Sequence, residues 1–344
     1  NAITPFINEM QRQMTNKEID QARLRSRLPQ MQLYLVTGND NFIARALKHY
    51  GMAFDNIAMD ITSSPRTGIN GTAQAYGLVV DSMAIDTVRL QLASADKEMK
   101  YNLEVVNGPK NPQITFHALL DGAITEHGTW MKPRIYDAKG RLGVGLDLMA
   151  KMEDKGIAVH LTGNNPILGY KEFSVNDSNF VYLGADKRVR ADMKLTAPDG
   201  TGVQIYSDDT DEDALQDITM SLNRFNLGNI LAVIPYAPDI KGIFNGDFHL
   251  IQTKEETSLS SSVNVENLTY SGCPMGNVGT EFTYMPKSGS AHYVDGIITK
   301  DGAEIGNLSG TYYSTGKGVL DANLDMKRMP MDFLNGFIPD KLIG

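Results

Sequence analysis

The sequence predicts an almost wholly β chain, antiparallel and repeat-built, with a small helical cap at its N-terminus. Three observations predict this. Helical spacing is confined to residues 1–51, and apolar residues recur with period two from about Met52 onward. One strand-plus-helix pattern occurs twice, at an offset of 104 residues.

Within residues 1–51, Thr15 and Glu18 have capping-box spacing, and Pro29 ends the segment that follows. Met31, Leu33 and Leu35 alternate as a short strand would. A second helix is expected from an Asn39-Asp40 cap to Gly51, with Phe42, Ile43, Ala46, Leu47 and Tyr50 on one face. Beyond Met52 the strands follow one another. Val88, Leu90 and Leu92 alternate with polar residues, as do Tyr101, Leu103 and Val105, then Ile114, Phe116, Ala118 and Leu120. Leu142, Val144, Leu146 and Leu148 read as one further strand, and Ile157, Val159 and Leu161 as the next. The pattern returns at Ala191, Met193 and Leu195, at Val203 and Ile205, and at Ile218, Met220 and Leu222. It closes with Phe244, Phe248 and Leu250, with Val263 and Val265, and with Leu324 and Met326. Turn residues separate these runs, among them Asn107-Gly108-Pro109, Pro198-Asp199-Gly200 and Lys287-Ser288-Gly289. One apolar and one polar face per strand is the mark of an antiparallel sheet.

The repeat lays residues 217–235 on residues 321–339. Four of the nineteen positions are identical, and Leu227, Ile230, Ile234 and Pro235 fall on Met331, Leu334, Ile338 and Pro339. Each copy reads as a strand followed by a short amphipathic helix stopped by proline. Repeats of this kind favour an elongated stack. The expected organisation is a helical cap region over 1–51 and a repeat-built β region over 52–344.

Composition bounds the function. Apolar residues make up 42% of the 344 positions and charged residues 21%, as in a folded, water-exposed protein. No run reaches the roughly 18–20 apolar residues that span a membrane. The chain starts at Asn1 and stops at Gly344 without a polar tail, which reads as a piece of a longer protein whose anchors lie elsewhere. A net charge of −9 argues against nucleic acid and against anionic headgroup surfaces as partners. The single cysteine, Cys273, rules out an internal disulfide and a cysteine-based metal cluster.

No constellation points to catalysis, a cofactor or a metal. His49, His117, His127, His160, His249 and His292 are scattered, without an HExxH or a Ser/His/Asp arrangement. Gly143-Val-Gly145 lacks the dinucleotide-binding pattern. The acidic run Asp208-Asp-Thr-Asp-Glu-Asp213 lacks the glycine and spaced ligands of a calcium loop and reads as a solvated turn. Trp130 could stack on a sugar, although a lone tryptophan more often packs. The expectation is therefore a non-enzyme.

What is missing carries the physical argument. Roughly twenty strands present an apolar face, with almost no helix after residue 51 to cover it. Apolar area left in water costs about 25 cal/mol per Å². Either a second sheet covers that face, as in a sandwich, or a ligand with its own apolar surface does.

Several segments resemble a known family. They include Gly242-Ile-Phe-Asn-Gly-Asp-Phe-His-Leu250, Val263-Asn-Val-Glu-Asn-Leu-Thr-Tyr270 and Leu324-Asp-Met-Lys-Arg-Met-Pro-Met-Asp-Phe-Leu-Asn-Gly-Phe-Ile-Pro339. Ile85–Leu90, Pro166–Phe180 and Val189–Leu195 fit the same pattern. Together they resemble the TamB-like translocation and assembly module proteins of the AsmA-like superfamily, in a Bacteroidetes-type version. The resemblance covers most of residues 40–344 and contains no invariant catalytic residue. It implies a curved, β-taco-like sheet with a hydrophobic groove. It also implies a periplasmic, inner-membrane-tethered role in phospholipid transport and outer-membrane biogenesis, with an outer-membrane β-barrel partner bound through segments outside this chain.

On that reading the groove would be lined by Leu90, Leu92, Leu103, Val105, Phe116, Leu146, Leu148, Val159, Leu161, Met193, Leu195, Ile205, Met220, Leu222, Phe248, Leu250, Val263, Val265, Leu324 and Met326. Its partners would be phospholipids or other acyl-chain lipids. The rival reading is a structural or glycan-binding β-sandwich array at the cell surface, using Trp130 and tyrosines.

Overall fold

The computed structural model describes residues 3–126, 128–153, 155–163, 165–208, 213–287, 291–315 and 318–327. His127, residues 209–212 of the acidic run, residues 288–289 and the second repeat copy beyond Lys327 lie outside these described residues. The fold is mostly β, 63% strand, and the described residues form 24 strands of open antiparallel sheet and four short helices.

Backbone contacts divide the chain into two compact units, and the division does not fall at residue 51. The first holds residues 1–172 together with Leu183–Asp186 and Val233–Tyr236, and the second holds the remainder.

In the first unit, Pro5 opens helix α1 (Thr4–Asn16), which ends where Lys17 turns left-handed at φ 53°. Thr15 therefore sits in the last turn of α1, and the capping box expected at Thr15–Glu18 is not formed. Asp20 is the cap instead, its side chain accepting from the Arg23 N–H at the start of α2 (Gln21–Ser26). After β1 (Met31–Gly38) comes α3 (Phe42–His49), capped by Asn41. The apolar face expected of α3 is not covered, since Phe42 is 83% and Tyr50 73% exposed.

An almost unbroken antiparallel meander follows. It comprises β2 (Met52–Ala53), β3 (Asn56–Ser64), β4 (Gly68–Val80), β5 (Met83–Ser94), β6 (Glu98–Asn107), β7 (Phe116–Thr125) and β8 (Gly128–Asp137). β1 pairs with β3, each later strand pairs with its successor, and β2 pairs with the end of β4.

β9 (Leu142–Gly145) and β10 (Leu148–Glu153) both pair with β8, so the single strand expected over Leu142–Leu148 is broken at Leu146–Asp147. Pro133 explains the break. Its carbonyl accepts from the Leu146 N–H, so its ring nitrogen, with no hydrogen to give, faces the same side and leaves a gap in that ladder. Arg134 fills the gap, donating to the Leu146 carbonyl and pairing with Asp147. β11 (Gly156–Leu161) pairs with β10, and β12 (Ile167–Leu168) bridges β9 and β13 (Lys171–Glu172).

The chain continues through β14 (Ser174–Val175) and β15 (Phe180–Gly184), and β14 pairs with β16. The second unit is then a meander of β16 (Val189–Thr196), β17 (Gly202–Ser207), β18 (Gln216–Asn226), β19 (Ile240–Gln252), β20 (Thr257–Tyr270), β21 (Cys273–Pro286), β22 (Ala291–Lys300), β23 (Ala303–Tyr313) and β24 (Val319–Met326). A short helix, α4 (Leu227–Leu231), follows β18, as the first repeat copy predicts. Ser271-Gly272 and Asp301-Gly302 close two-residue hairpins with positive φ at both positions, as type I′ turns require.

Candidate functional site

Residues directly opposite each other in an antiparallel ladder share a face, so the register determines which side chains stand together. In the first unit one row runs Ala73, Leu90, Leu103, Leu120 and Pro133 across β4 to β8. A second runs Ala75, Val88, Val105, Ala118, Ile135 and Val144. A third joins Met131, Leu148 and Leu161. The opposite face carries the polar partners. Glu104 accepts from Arg89 at 2.7 Å and faces His117 at 2.9 Å, and Asn102 donates to Asp121 at 2.6 Å. The hydrogen bond from Arg89 is the main cause holding the Glu104 carboxyl below its usual range.

The second unit has the same division. Val203 faces Leu222, Ile205 faces Met220 and Met220 faces Phe248; Ile218, Leu250, Leu259 and Tyr284 form the next row. Val265 stands between Phe244 and Val278, Leu308 faces Leu324 and Gly306 faces Met326. On the reverse, His249 contacts Asp217 at 2.8 Å and Ser221 donates to Asp247 at 2.6 Å, beside Ser260, Ser262 and Asn264. A bulge at Arg224, with φ 57°, inserts one residue and so keeps Phe225 opposite Phe244 on the apolar side.

The register thus brings the sequence-predicted residues onto one apolar face in each unit, except Leu146, which lies in the break between β9 and β10 and has no strand register. Of these residues only Phe116, Leu161 and Leu195 are buried; the others are half-buried, and Leu324 is 56% exposed. Among the described residues the strands pair into open antiparallel sheet that does not close.

The sequence reading passed over β21 to β23, where glycine and threonine dilute the alternation. There Phe282, Tyr284, Val294, Ile298 and Tyr312 extend the apolar face. His292 joins them, stacked on Tyr284 at 4.7 Å, with its Nδ1 buried and no hydrogen-bond partner among the described residues. Burial, and then the neighbouring Tyr312, push the Tyr284 hydroxyl pKa up.

Trp130, Gly143 and His160, also singled out in the sequence, stand outside the apolar rows. Lys132 lies over the Trp130 ring at 5.7 Å, on the polar face. Gly143 makes room for Val233, whose methyl carbon would lie 1.7 Å from any Cβ added there. His160 comes within 3.8 Å of Glu153. No helix among the described residues is long and apolar enough to cross a membrane, which leaves strands as spanning elements untouched. Comparison with known protein families, curated proteins and solved structures returned no match.

Proposed function

We propose that the chain is a non-catalytic, lipid-conducting scaffold that shields acyl chains along the apolar faces of its sheets. The observation that carries this reading is a face of Leu, Val, Ile, Met and Phe that is continuous through successive strands and largely half-exposed. Each Å² of it left in water costs about 25 cal/mol, and an acyl chain laid on it removes that cost. Non-directional contacts suit chemically variable chains, and methionines such as Met193, Met220 and Met326 adapt to them.

The resemblance of the sequence to TamB-like proteins supports the finer reading. In that reading phospholipid crosses the periplasm between inner and outer membranes, and an outer-membrane β-barrel is the partner. The test is mass spectrometry of lipid extracted from the purified protein, together with transfer of fluorescent phospholipid between two vesicle populations. Co-purifying phospholipid and accelerated transfer are expected. A protein free of lipid that leaves the transfer rate unchanged would overturn the proposal.

A further inference from the structure

The helical pair α1–α2 lies over the apolar face of the first unit without filling the space beneath it. A cavity of about 600 Å³ remains. That volume falls within the range of about 300–1,000 Å³ typical of small-molecule sites. Met10 and Met14 of α1 form one wall, and Ile124, Met131 and Ile157 of the sheet form the other. Met14 is 67% exposed although it belongs to this wall, so the apolar stripe of the helix has not found a protein partner.

The pair is held by polar contacts around it rather than by packing. Gln13 donates to Glu9 and to the Asp20 carbonyl, and Arg23 lies 3.2 Å from Glu9. Arg25 donates to the carbonyls of Pro65, Arg66, Ala95 and Asp96 in two hairpin turns, and Ser63 donates to the Pro29 carbonyl. Ile19 N–H reaches the Met152 sulfur at 3.0 Å. These bonds fix the height of the helix above the sheet, so collapse onto the void would break them. An apolar groove held open in this way is a receptor for an apolar guest.

The polar groups of the lining are Gln13, Lys17, Glu18, Tyr101 and Thr129, and the one carboxylate among them, Glu18, is paired with Arg12 at 2.7 Å. Lys17, at the C-terminal end of α1, borders the cavity, and no carboxylate pairs with its ammonium among the described residues. We propose that this cavity binds the tail of a single-chain anionic amphiphile whose carboxylate or phosphate head meets Lys17. A space of about 600 Å³ suits one acyl tail rather than two. The proposal rests on the sheet face being lipid-binding and adds a stoichiometric site to it.

The test uses the full chain with palmitate, a lysophosphatidic acid and hexadecanol, measured by calorimetric titration. Saturable one-to-one binding of the charged amphiphiles is expected, and the stronger of the two identifies the head. Lys17→Gln should weaken their binding about tenfold, the loss of one charge-assisted contact, and leave hexadecanol unchanged. Ile157→Trp should fill the void and abolish binding of all three. A diazirine-bearing palmitate on the unaltered protein guards against misfolding of the variants, and its adducts are expected on Met10, Met14, Met131 or Ile157. Adducts confined to strands of the second unit would sink this site while leaving the lipid-binding reading standing. Adducts on no apolar position would sink both.

Discussion

Leu195 and Leu324 occupy equivalent positions on the apolar face of the second unit, yet one is 4% exposed and the other 56%. A carboxylate at Leu195 would be buried without a partner, so Leu195→Asp should cost several kcal/mol, on the order of 3–5. Leu324→Asp keeps its charge in water and should cost under about 1 kcal/mol. Urea unfolding of the two variants measures the contrast; equal losses would mean that the face is uniformly dry. Glu9 gives a pH dependence. Hydrogen bonds from Arg12 and then Gln13 lower its pKa from 4.5 to about 2, against the opposing effect of burial. A carboxyl with a depressed folded pKa contributes stability above its unfolded pKa and loses it as pH falls. The melting-temperature difference between the unaltered chain and Glu9→Gln should therefore be full above about pH 4.5 and vanish toward pH 2. A difference independent of pH across that window would show that the Glu9 charge does not anchor α1. Arg12 and Gln13 stand at i+3 and i+4 from Glu9, so that part of the role lies in helix-pair spacing, whereas Arg23 is too far along the chain for such spacing to link it.

At the scale of elements, turn chemistry gives a clean probe of the meander. Gly302 has φ +81° and no atom within 4 Å of an added Cβ, so a side chain there meets backbone strain and nothing else. Gly302→Ala should cost about 1–2 kcal/mol, and Gly302→Asn less, because asparagine tolerates the left-handed region. Denaturant midpoints of the two variants test this, and indifference to Ala would argue against the I′ hairpin between β22 and β23. Strands with dense alternation, such as Met83–Ser94 and Glu98–Asn107, were legible because every second side chain must face one side. Phe225 was not, because the extra residue at Arg224 changes its parity, and a positive φ at arginine leaves no trace in composition. The break at Leu146 depends on Pro133 in the neighbouring strand, thirteen residues earlier in the chain, so alternation alone ran straight through it. The helix boundary at Asn16 was missed for a related reason: Thr15 and Glu18 match a start signal, whereas the local backbone there is a helix end.

For the whole molecule, the amphipathic character of the sheets was written in the sequence, and the division into units was not. Val233–Tyr236 belongs with the first unit because Val233 fits against Gly143 and the Tyr236 hydroxyl donates to the Ala84 carbonyl at 2.6 Å. These are contacts between residues some ninety to 150 positions apart, which no periodicity encodes. That the sheet is open rather than closed likewise needed the pairing order of the strands, since alternation is the same in both. On the proposed reading the apolar face, and not the polar one, receives acyl chains. Val263 and Ser262 are neighbours in β20 that point to opposite faces, Val263 opposite Gly246 and Ser262 opposite Asp247. A photoreactive residue placed at each position in turn, irradiated with radiolabelled phospholipid, distinguishes the two faces. Adducts from position 263 with little or none from position 262 are predicted; equal labelling from both positions, or none from 263, would contradict that reading.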